Sequence, residues 1–266
     1  MKPENNTIII TGTSAGIGFA LAEYFGKKGN KVYGLSRKNV ESPYFTTIAT
    51  DVTDNSAIDK AISEILIAEK KIDVLINNAG MGMVGPIENA TQEEILKLFN
   101  LNLAGSVMMM SAVLPKMREQ KSGKIINISS IGSEMGLPFR GFYSASKSAI
   151  DKVTEAIRYE VLPWNLQITS LHLGDIKTNI AENRLKTNVS DAYKSTFEKV
   201  YASMNEHVDK GSEPIEVAEF IEYLLQKNKL KPHYYFGVFG QKIGVYLKWI
   251  LPQTWYENLM KKYNHL

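Results

Sequence analysis

Five consecutive residues, Tyr143-Ser144-Ala145-Ser146-Lys147, with Ser130 thirteen positions earlier, are those whose types and spacing most readily suggest chemistry. On a helix, positions i and i+4 share a face, so a Tyr hydroxyl at 143 and a Lys ammonium at 147 can stand close together. A free phenol titrates at about 10, and an adjacent cation favours the phenolate. Such a pair can therefore exchange a proton with an alcohol or carbonyl oxygen near neutral pH. The spacing alone is not specific. It recurs at Tyr24/Lys28 and Tyr223/Lys227, which read as solvated helix faces. What distinguishes the third pair is the set of elements that must position it.

The first of these is a β-branched run, Thr7-Ile8-Ile9-Ile10-Thr11, followed by Gly12-Thr13-Ser14-Ala15-Gly16-Ile17-Gly18 and then by apolar residues at helical spacing to Lys28. Strand, glycine loop and helix in that order let the backbone approach a phosphate, while the helix amino terminus offers free N–H groups to an anion. The bland alternative is a tight strand-to-helix turn. The glycine spacing, Gly-x-x-x-Gly-x-Gly, also differs from the Gly-x-Gly-x-x-Gly fingerprint. The next strand, residues 31–36, ends in Ser36-Arg37-Lys38, where the adenosine ribose of a dinucleotide would lie. Cations there suit a 2′-phosphate, which points to NADP(H) over NAD(H), with NAD(H) as the alternative. Read without a ligand, Arg37 and Lys38 are solvated loop charges.

Further strands are expected at 44–49, 72–76, 124–129, 166–173 and 234–239, and helices at 55–70, 91–120, 143–162 and 216–227. Strands alternating with helices give an α/β fold: a doubly wound, Rossmann-type parallel sheet of about seven strands with helices on both faces. The unusual loops at 11–18, 36–38, 51–52 and 77–80 then share the edge where the strands' carboxyl ends emerge, the ligand-binding edge of such sheets. The 266 residues are expected to form one dinucleotide-binding and catalytic domain.

Composition narrows the classes further. A formal charge of +3 from 31 basic and 28 acidic residues does not suggest a nucleic-acid surface. No cysteine is present, which excludes disulfides, thiolate metal sites and a Cys nucleophile, and no metal is expected. No secretory signal pattern opens the chain and no run of eighteen apolar residues occurs, so a cytoplasmic protein is the expectation.

Together these residues resemble the short-chain dehydrogenase/reductase family, over residues 7 to about 180. Thr11-Gly12-x-x-x-Gly16-Ile17-Gly18 looks like its cofactor loop, Asn77-Asn78-Ala79-Gly80 its central strand motif, and Asn102, Ser130, Tyr143 and Lys147 its catalytic tetrad. Read alone, Asn102 is an ordinary polar residue within a helix. The resemblance implies cofactor contacts from Gly12, Ser14, Gly16, Ile17, Gly18, Ser36, Arg37, Asp51, Val52, Asn78, Ala79, Gly80, Tyr143, Lys147, Gly174, Ile176 and Thr178. It also implies hydride transfer between the nicotinamide and a carbonyl or secondary alcohol, with Tyr143 exchanging the proton and Ser130 holding the oxygen. Lys147 would lower the Tyr143 pKa and hold the ribose, and Asn102 would keep a water beside Lys147. One departure is Leu173 before Gly174, where the family often has proline, leaving that turn less restricted.

Met81, Met83, Met135, Leu137, Phe139 and Phe142 near the tetrad suit a hydrophobic ketone or aldehyde, although several could simply pack in the core. Residues 179–212 read as a polar connection that acts as a lid in relatives. Residues 240–250 and 254–263 read as two amphipathic helices around Pro252, with Thr254 and Glu257 spaced as a capping box. A cover over the cleft or a subunit interface is preferred for this tail; the alternative is peripheral contact with a membrane through its Trp, Tyr and Lys residues. The family implies a homodimer or homotetramer through the helices at about 100–120 and 143–162. The competing function is a catalytically silent NADP(H)-binding sensor or scaffold, against which the complete tetrad argues.

Overall fold

The computed structural model describes residues 5–178, 184–264 and 266. Strand β1 (Thr7–Thr11) is wholly buried and leads through the glycine loop into helix α1 (Gly16–Lys27). The chain continues through β2 (Lys31–Ser36), β3 (Thr46–Ala49), α2 (Asn55–Glu69), β4 (Val74–Asn77) and the short β5 (Met83–Val84). Helix α3 (Gln92–Phe99) passes through a π-helical turn, Asn100–Gly105, into α4 (Ser106–Gln120). Then come β6 (Gly123–Ser130), α5 (Gly141–Glu160), β7 (Leu166–Leu173), β8 (Leu185–Lys186), α6 (Asp191–Asp209), α7 (Pro214–Gln226), β9 (His233–Phe236), α8 (Phe239–Ile250) and α9 (Gln253–Tyr263).

Seven strands form one sheet in the order β3-β2-β1-β4-β6-β7-β9, every neighbouring pair parallel. The chain winds outward from β1 to β3, then crosses back to β4 and winds the other way, so a crevice opens between the ends of β1 and β4. Strand residues are apolar on both faces because both faces are covered. Ile8, Ile10, Ile76 and Ile126 pack with Leu21, Phe25, Val217 and Ile221 on one side. Ile9, Leu75, Ile125 and Ile168 pack with Ile58, Ile65, Met109 and Val113 on the other. By length and composition Gln92–Gln120 could cross a membrane. Here Met109, Met110, Val113 and Met117 bury one face of it against the second core, as a core helix does.

Several expected boundaries move. The third strand starts at Thr46 rather than 44, the fourth at Val74 rather than 72, and the last ends at Phe236 because Phe239 already opens α8. The capping box at Thr254 and Glu257 does not form: α9 starts at Gln253 after Pro252, and Gln253 Nε2 donates to Glu257 Oε1 at 3.2 Å instead. The larger difference lies at 179–212. Residues 179–183 fall outside the described residues, but Asp191–Asp209 is a helix rather than a polar connection. Tyr193, Phe197 and Tyr201 recur every four residues along it, and Phe139 meets the first two edge-on at 6.2 and 5.4 Å.

Two glycines fix the approach of α1 to the sheet. Gly12 has φ +75, which a side chain rarely tolerates, and a Cβ at Gly18 would lie 2.2 Å from the Gly12 carbonyl oxygen. Because that obstacle is backbone, Gly18→Ala is expected to cost about 2–3 kcal/mol of stability and to weaken dinucleotide binding. Chemical denaturation and cofactor-fluorescence titration would check both, and an unchanged pair would show that the loop can yield.

Candidate active site

The crevice edge is built by ties between β1 and β4. Thr11 Oγ1 accepts from the backbone N–H groups of Asn78 and Ala79, both at 2.9 Å, and Asn78 Nδ2 donates to Thr11 O at 2.9 Å. Ala15 precedes α1 without capping it by a side chain, so the first helical N–H groups beside Ser14, Gly16 and Ile17 are available to an anion. Thr178 lies over this loop, its Cγ2 3.5 Å from where a Gly16 Cβ would be. Gly174 and Ile176 lead to Thr178. Gly174 N donates to Phe236 O at 2.7 Å, and Asp175 N donates to Gln241 Oε1 at 3.2 Å. Gln241, from α8, thereby secures the turn that Leu173 leaves without a proline. Further along the edge, a cleft of about 720 Å³ is lined by Arg37, Asp51, Thr53, Met81, Lys97 and Asn100. Asp51 is fixed by Thr53, whose N–H and hydroxyl donate to Oδ1, while Ser36 Oγ donates to Lys38 O at 2.7 Å and leaves the exposed Arg37 to the cleft. Val52 is buried under the π-helical turn, where a Cβ on Gly105 would reach its carbonyl oxygen at 2.9 Å. A loop that only glycine permits, an uncapped helix start and a cleft ending in Asp51 and Arg37 fit a dinucleotide.

The four residues of the expected tetrad come to this same edge from three elements. Ser130 ends β6, and its Oγ accepts from Gly132 N at 3.0 Å. Tyr143 and Lys147 lie in the first two turns of α5, which begins at Gly141 rather than at Tyr143. Asn102 sits in the π-helical turn, fully buried. Its Oδ1 accepts from Met81 N at 2.8 Å, and its Nδ2 donates to Met81 O at 2.9 Å and Ser146 Oγ at 3.0 Å. The side-chain amide is thus committed to the Gly80–Met81 turn and to α5. A Cβ at Gly80 would lie 3.2 Å from Asn102 Oδ1 and 3.5 Å from Lys147 Nζ, so a bare glycine lets the two approach. The other two Tyr-x-x-x-Lys pairs form ordinary surface contacts. Lys28 pairs with Glu222 at 2.7 Å and lies 4.8 Å from the Tyr24 ring, and Lys227 Nζ donates to Tyr223 Oη at 2.7 Å.

Electrostatics around Tyr143 differ from the expectation. Burial pushes its pKa up from 10.0, against hydrogen bonding from Ser130 and the nearby Arg140 and Arg184 cations, which lower it, and Asp175, which raises it. Lys147 turns inward instead and donates to Ile128 O at 2.8 Å. Burial brings its pKa down to about 8, partly opposed by Asp151 one turn further along α5. The cations that act on Tyr143 are therefore two arginines that motif reading passed over.

Behind Lys147 lies a polar cluster that no motif announced. Ser129 Oγ donates to Asp151 Oδ2 at 3.0 Å, and His172, fully buried, has Nδ1 3.0 Å from Ser133 Oγ and Nε2 2.9 Å from His233 Nδ1. His233 Nε2 continues to Glu155 Oε1 at 3.1 Å. Burial lowers the His172 pKa, which keeps this ring neutral. The apolar residues divide. Met83 and Met135 are core, Met81 lines the cleft with Arg37 and Asp51, and Leu137 packs on a small cluster of Ile131, Met135 and Val245. Phe142 is part-buried beside Tyr143, and Phe139, at φ +56, faces α6. The tail covers this side: Tyr256 Oη reaches Met135 Sδ at 3.3 Å, Lys248 Nζ donates to Glu134 O, and Tyr263 stacks on His207 at 5.3 Å.

The Lys147 shift carries a stability consequence. The folded chain releases that proton at about 8 and the unfolded chain at 10.5, so between these values the unfolded state binds more protons and stability rises with pH. Tyr33, Tyr143 and Tyr235 have folded values above 10.0, so their opposite contribution sets in as pH passes 10.0, and it is shared by the Lys147→Met chain and cancels in the comparison. From pH 8 to pH 10 the unmodified chain is expected to gain about 2 kcal/mol relative to Lys147→Met, measured by denaturation at each pH. Parallel curves would contradict the burial of a charged Lys147.

The profile of the short chain dehydrogenase family matches residues 6–189. The chain is 44% identical over 185 residues to a 3-ketodihydrosphingosine reductase of Bacteroides thetaiotaomicron, covering 69% of this chain and 68% of that protein. It is 34% identical over 217 residues to an NADPH-dependent 3-dehydrocapnine reductase of Ornithobacterium rhinotracheale, covering 76% of each. A short-chain dehydrogenase from Streptomyces avermitilis superposes with a TM-score of 0.81 over 93% of each chain, at 27% identity. The chain therefore belongs to the short-chain dehydrogenase/reductase family, oxidoreductases that bind NAD(P)(H).

Proposed function

We propose that this chain is an NADP(H)-dependent reductase of a hydrophobic ketone or aldehyde, and that its 266 residues act as one dinucleotide-binding and catalytic unit. The observation that carries the reading is the meeting of Ser130, Tyr143 and Lys147 at the edge formed by the glycine loop. The glycine loop from Gly12 to Gly18 with Thr178 would hold the pyrophosphate, Asp51 and Val52 the adenine, and Arg37 the 2′-phosphate. Asn78, Ala79, Gly80, Gly174 and Ile176 would line the remainder. The nicotinamide, when bound, supplies the hydride. Tyr143 gives its proton to the carbonyl oxygen, and its raised pKa keeps it in the acid form at neutral pH. Ser130 donates to the same oxygen and holds it against Tyr143. Lys147 holds the ribose and resupplies protons, while Asn102 keeps the Gly80–Met81 turn and α5 in register beside it.

A preference for NADP(H) is supported by the exposed Arg37 at the cleft and by the name of the NADPH-dependent relative. A hydrophobic substrate is supported by Phe139, Phe142 and the aromatic stripe of α6, and the names of both relatives describe reduction of 3-keto compounds. We assign α6 as the lid, and α8 and α9 as a cover beside it. A homodimer or homotetramer would form through α4 and α5, where Tyr159 is exposed.

Two measurements test this. NADPH oxidation at about 340 nm over a panel of hydrophobic ketones and aldehydes should show turnover that Tyr143→Phe lowers at least about 100-fold with NADPH binding intact. Binding without turnover across the panel in the unmodified chain would favour the silent sensor. Arg37→Asp should lower the NADPH/NADH ratio of kcat/KM at least about tenfold, since a charge-assisted contact is worth roughly 1.5–3 kcal/mol. An unchanged ratio would remove the 2′-phosphate role.

A further inference from the structure

Helix α8 presents a different chemistry on each side. Gln241, Val245 and Lys248, spaced i, i+4, i+7, point into the molecule: Gln241 Oε1 accepts from Asp175 N at 3.2 Å, Val245 packs on Ile131 and Met135, and Lys248 Nζ donates to Glu134 O. These contacts fix the helix about its own axis. Half a turn round, Phe239, Ile243, Tyr246 and Ile250 fall on one line, and all of them are exposed, Phe239 and Ile250 each at 75%. Trp249, at the side of that line, is 76% exposed. No polar side chain interrupts the line. In α9, Tyr256 is buried, while Trp255 is 66% exposed and in line with Leu259 and Lys262, both exposed.

A solvent-facing helix line built only of large apolar groups is the reverse of the usual surface pattern, and such patches mark a face that meets something other than water. Charge says what it meets. Residues 238–266 hold four lysines against one acidic residue, Glu257. Taking these from the 31 basic and 28 acidic residues of the chain leaves 27 of each, so the formal charge of +3 lies wholly on this tail. Lys242, Lys261 and Lys262 pair with no carboxylate among the described residues, and Lys242 falls in line with Trp249 seven positions on. A second copy meeting this face about a two-fold axis would set the same cations against each other. Exposed Trp and Tyr rings, lysine stems that lie along apolar surface and an excess of positive charge match instead the boundary between headgroups and acyl chains of an anionic bilayer.

We infer that the outer face of α8, with the lysines of the α9 that follows it, docks this chain on an anionic lipid surface. The line from Phe239 to Ile250 enters the acyl boundary, and Lys242, Lys261 and Lys262 meet the lipid phosphates. The helix lies in the plane of the interface and does not cross it: Phe239–Ile250 is 12 residues, and a span needs about 20. The inward contacts of Gln241, Val245 and Lys248 keep the apolar line turned outward, so the face is ready before any lipid arrives. Docking engages none of the residues assigned to the cofactor or the proton, and it stands apart from the reductase reading.

The test floats the full chain with vesicles of phosphatidylcholine, either alone or with about one lipid in three replaced by phosphatidylglycerol. The chain should partition onto the anionic vesicles at least about tenfold more strongly than onto the neutral ones, and salt at about 0.5 M should remove most of that difference. Trp249→Ser combined with Ile250→Ser should lower binding to the anionic vesicles at least about tenfold. Lys261→Glu combined with Lys262→Glu should bring it down to the neutral level. All four side chains are exposed, so denaturation midpoints and NADPH binding should not change. No flotation with anionic vesicles, equal partitioning onto the two kinds of vesicle, or full flotation of the Trp249/Ile250 variant would overturn the docking face. So would a dimer in sedimentation that the same variant dissociates without any vesicle binding, since a second copy would then be the occupant.

Discussion

In a sheet whose strands all run the same way, every carboxyl end emerges at one edge, and each return connection must cross a face, here mostly as a helix. This constraint brings the ends of β1, β2, β3, β4, β6 and β7, distant in sequence, to one edge. The glycine loop, Arg37, Asp51, the Asn78–Gly80 turn, Ser130 and Gly174 all share that edge because of direction alone. Helix α5 then has to cross back over β6, which brings Tyr143 and Lys147 to the residue where β6 stops.

Chemistry at the edge is set by how much each polar group is deprived of water and what it is offered in return. Lys147 loses solvent and gains a backbone carbonyl from Ile128 and the field of Asp151, so its ammonium stays bound but weakened. Tyr143 loses solvent too, and the groups that favour its phenolate do not make up the difference. Its acid form wins in the folded chain. Asn102 is satisfied entirely by the Met81 backbone and Ser146, which makes the π-helical turn a spacer of fixed shape between α3 and α4. Burying charged and titratable groups is costly to the fold, and such costs concentrate at functional sites.

Much of this was legible in the residues. The run of isoleucines in β1, Gly12 with Gly18, and Tyr143 with Lys147 each obey a local rule strong enough to survive folding, and the order of strands and helices follows from them. Less was legible where tertiary contact decides. The stripe Tyr193, Phe197, Tyr201 had helical spacing, but the charged residues around it made 179–212 read as a polar connection until Phe139 supplied its partner. Pro252 moved the start of α9 ahead of Thr254, because a proline with helical entry geometry outweighs an exposed hydroxyl cap. Arg140 carries no motif, and nothing in Leu137-Pro138-Phe139-Arg140 says that its Nε will be buried without an acceptor. Gln241 was unreadable for the same reason. Its partners, Gly174 and Asp175, are remote in sequence and close only in the fold.

The account stands or falls on Tyr143 being the proton donor, held in its acid form by burial. Its titration can be followed directly by carbon-13 NMR of the ring Cζ in tyrosine-labelled protein, with Tyr143→Phe to assign the signal among the 13 tyrosines. The account predicts a Tyr143 resonance that stays protonated through neutral pH and titrates above the ordinary value of 10.0. A resonance that is already phenolate at neutral pH would contradict it.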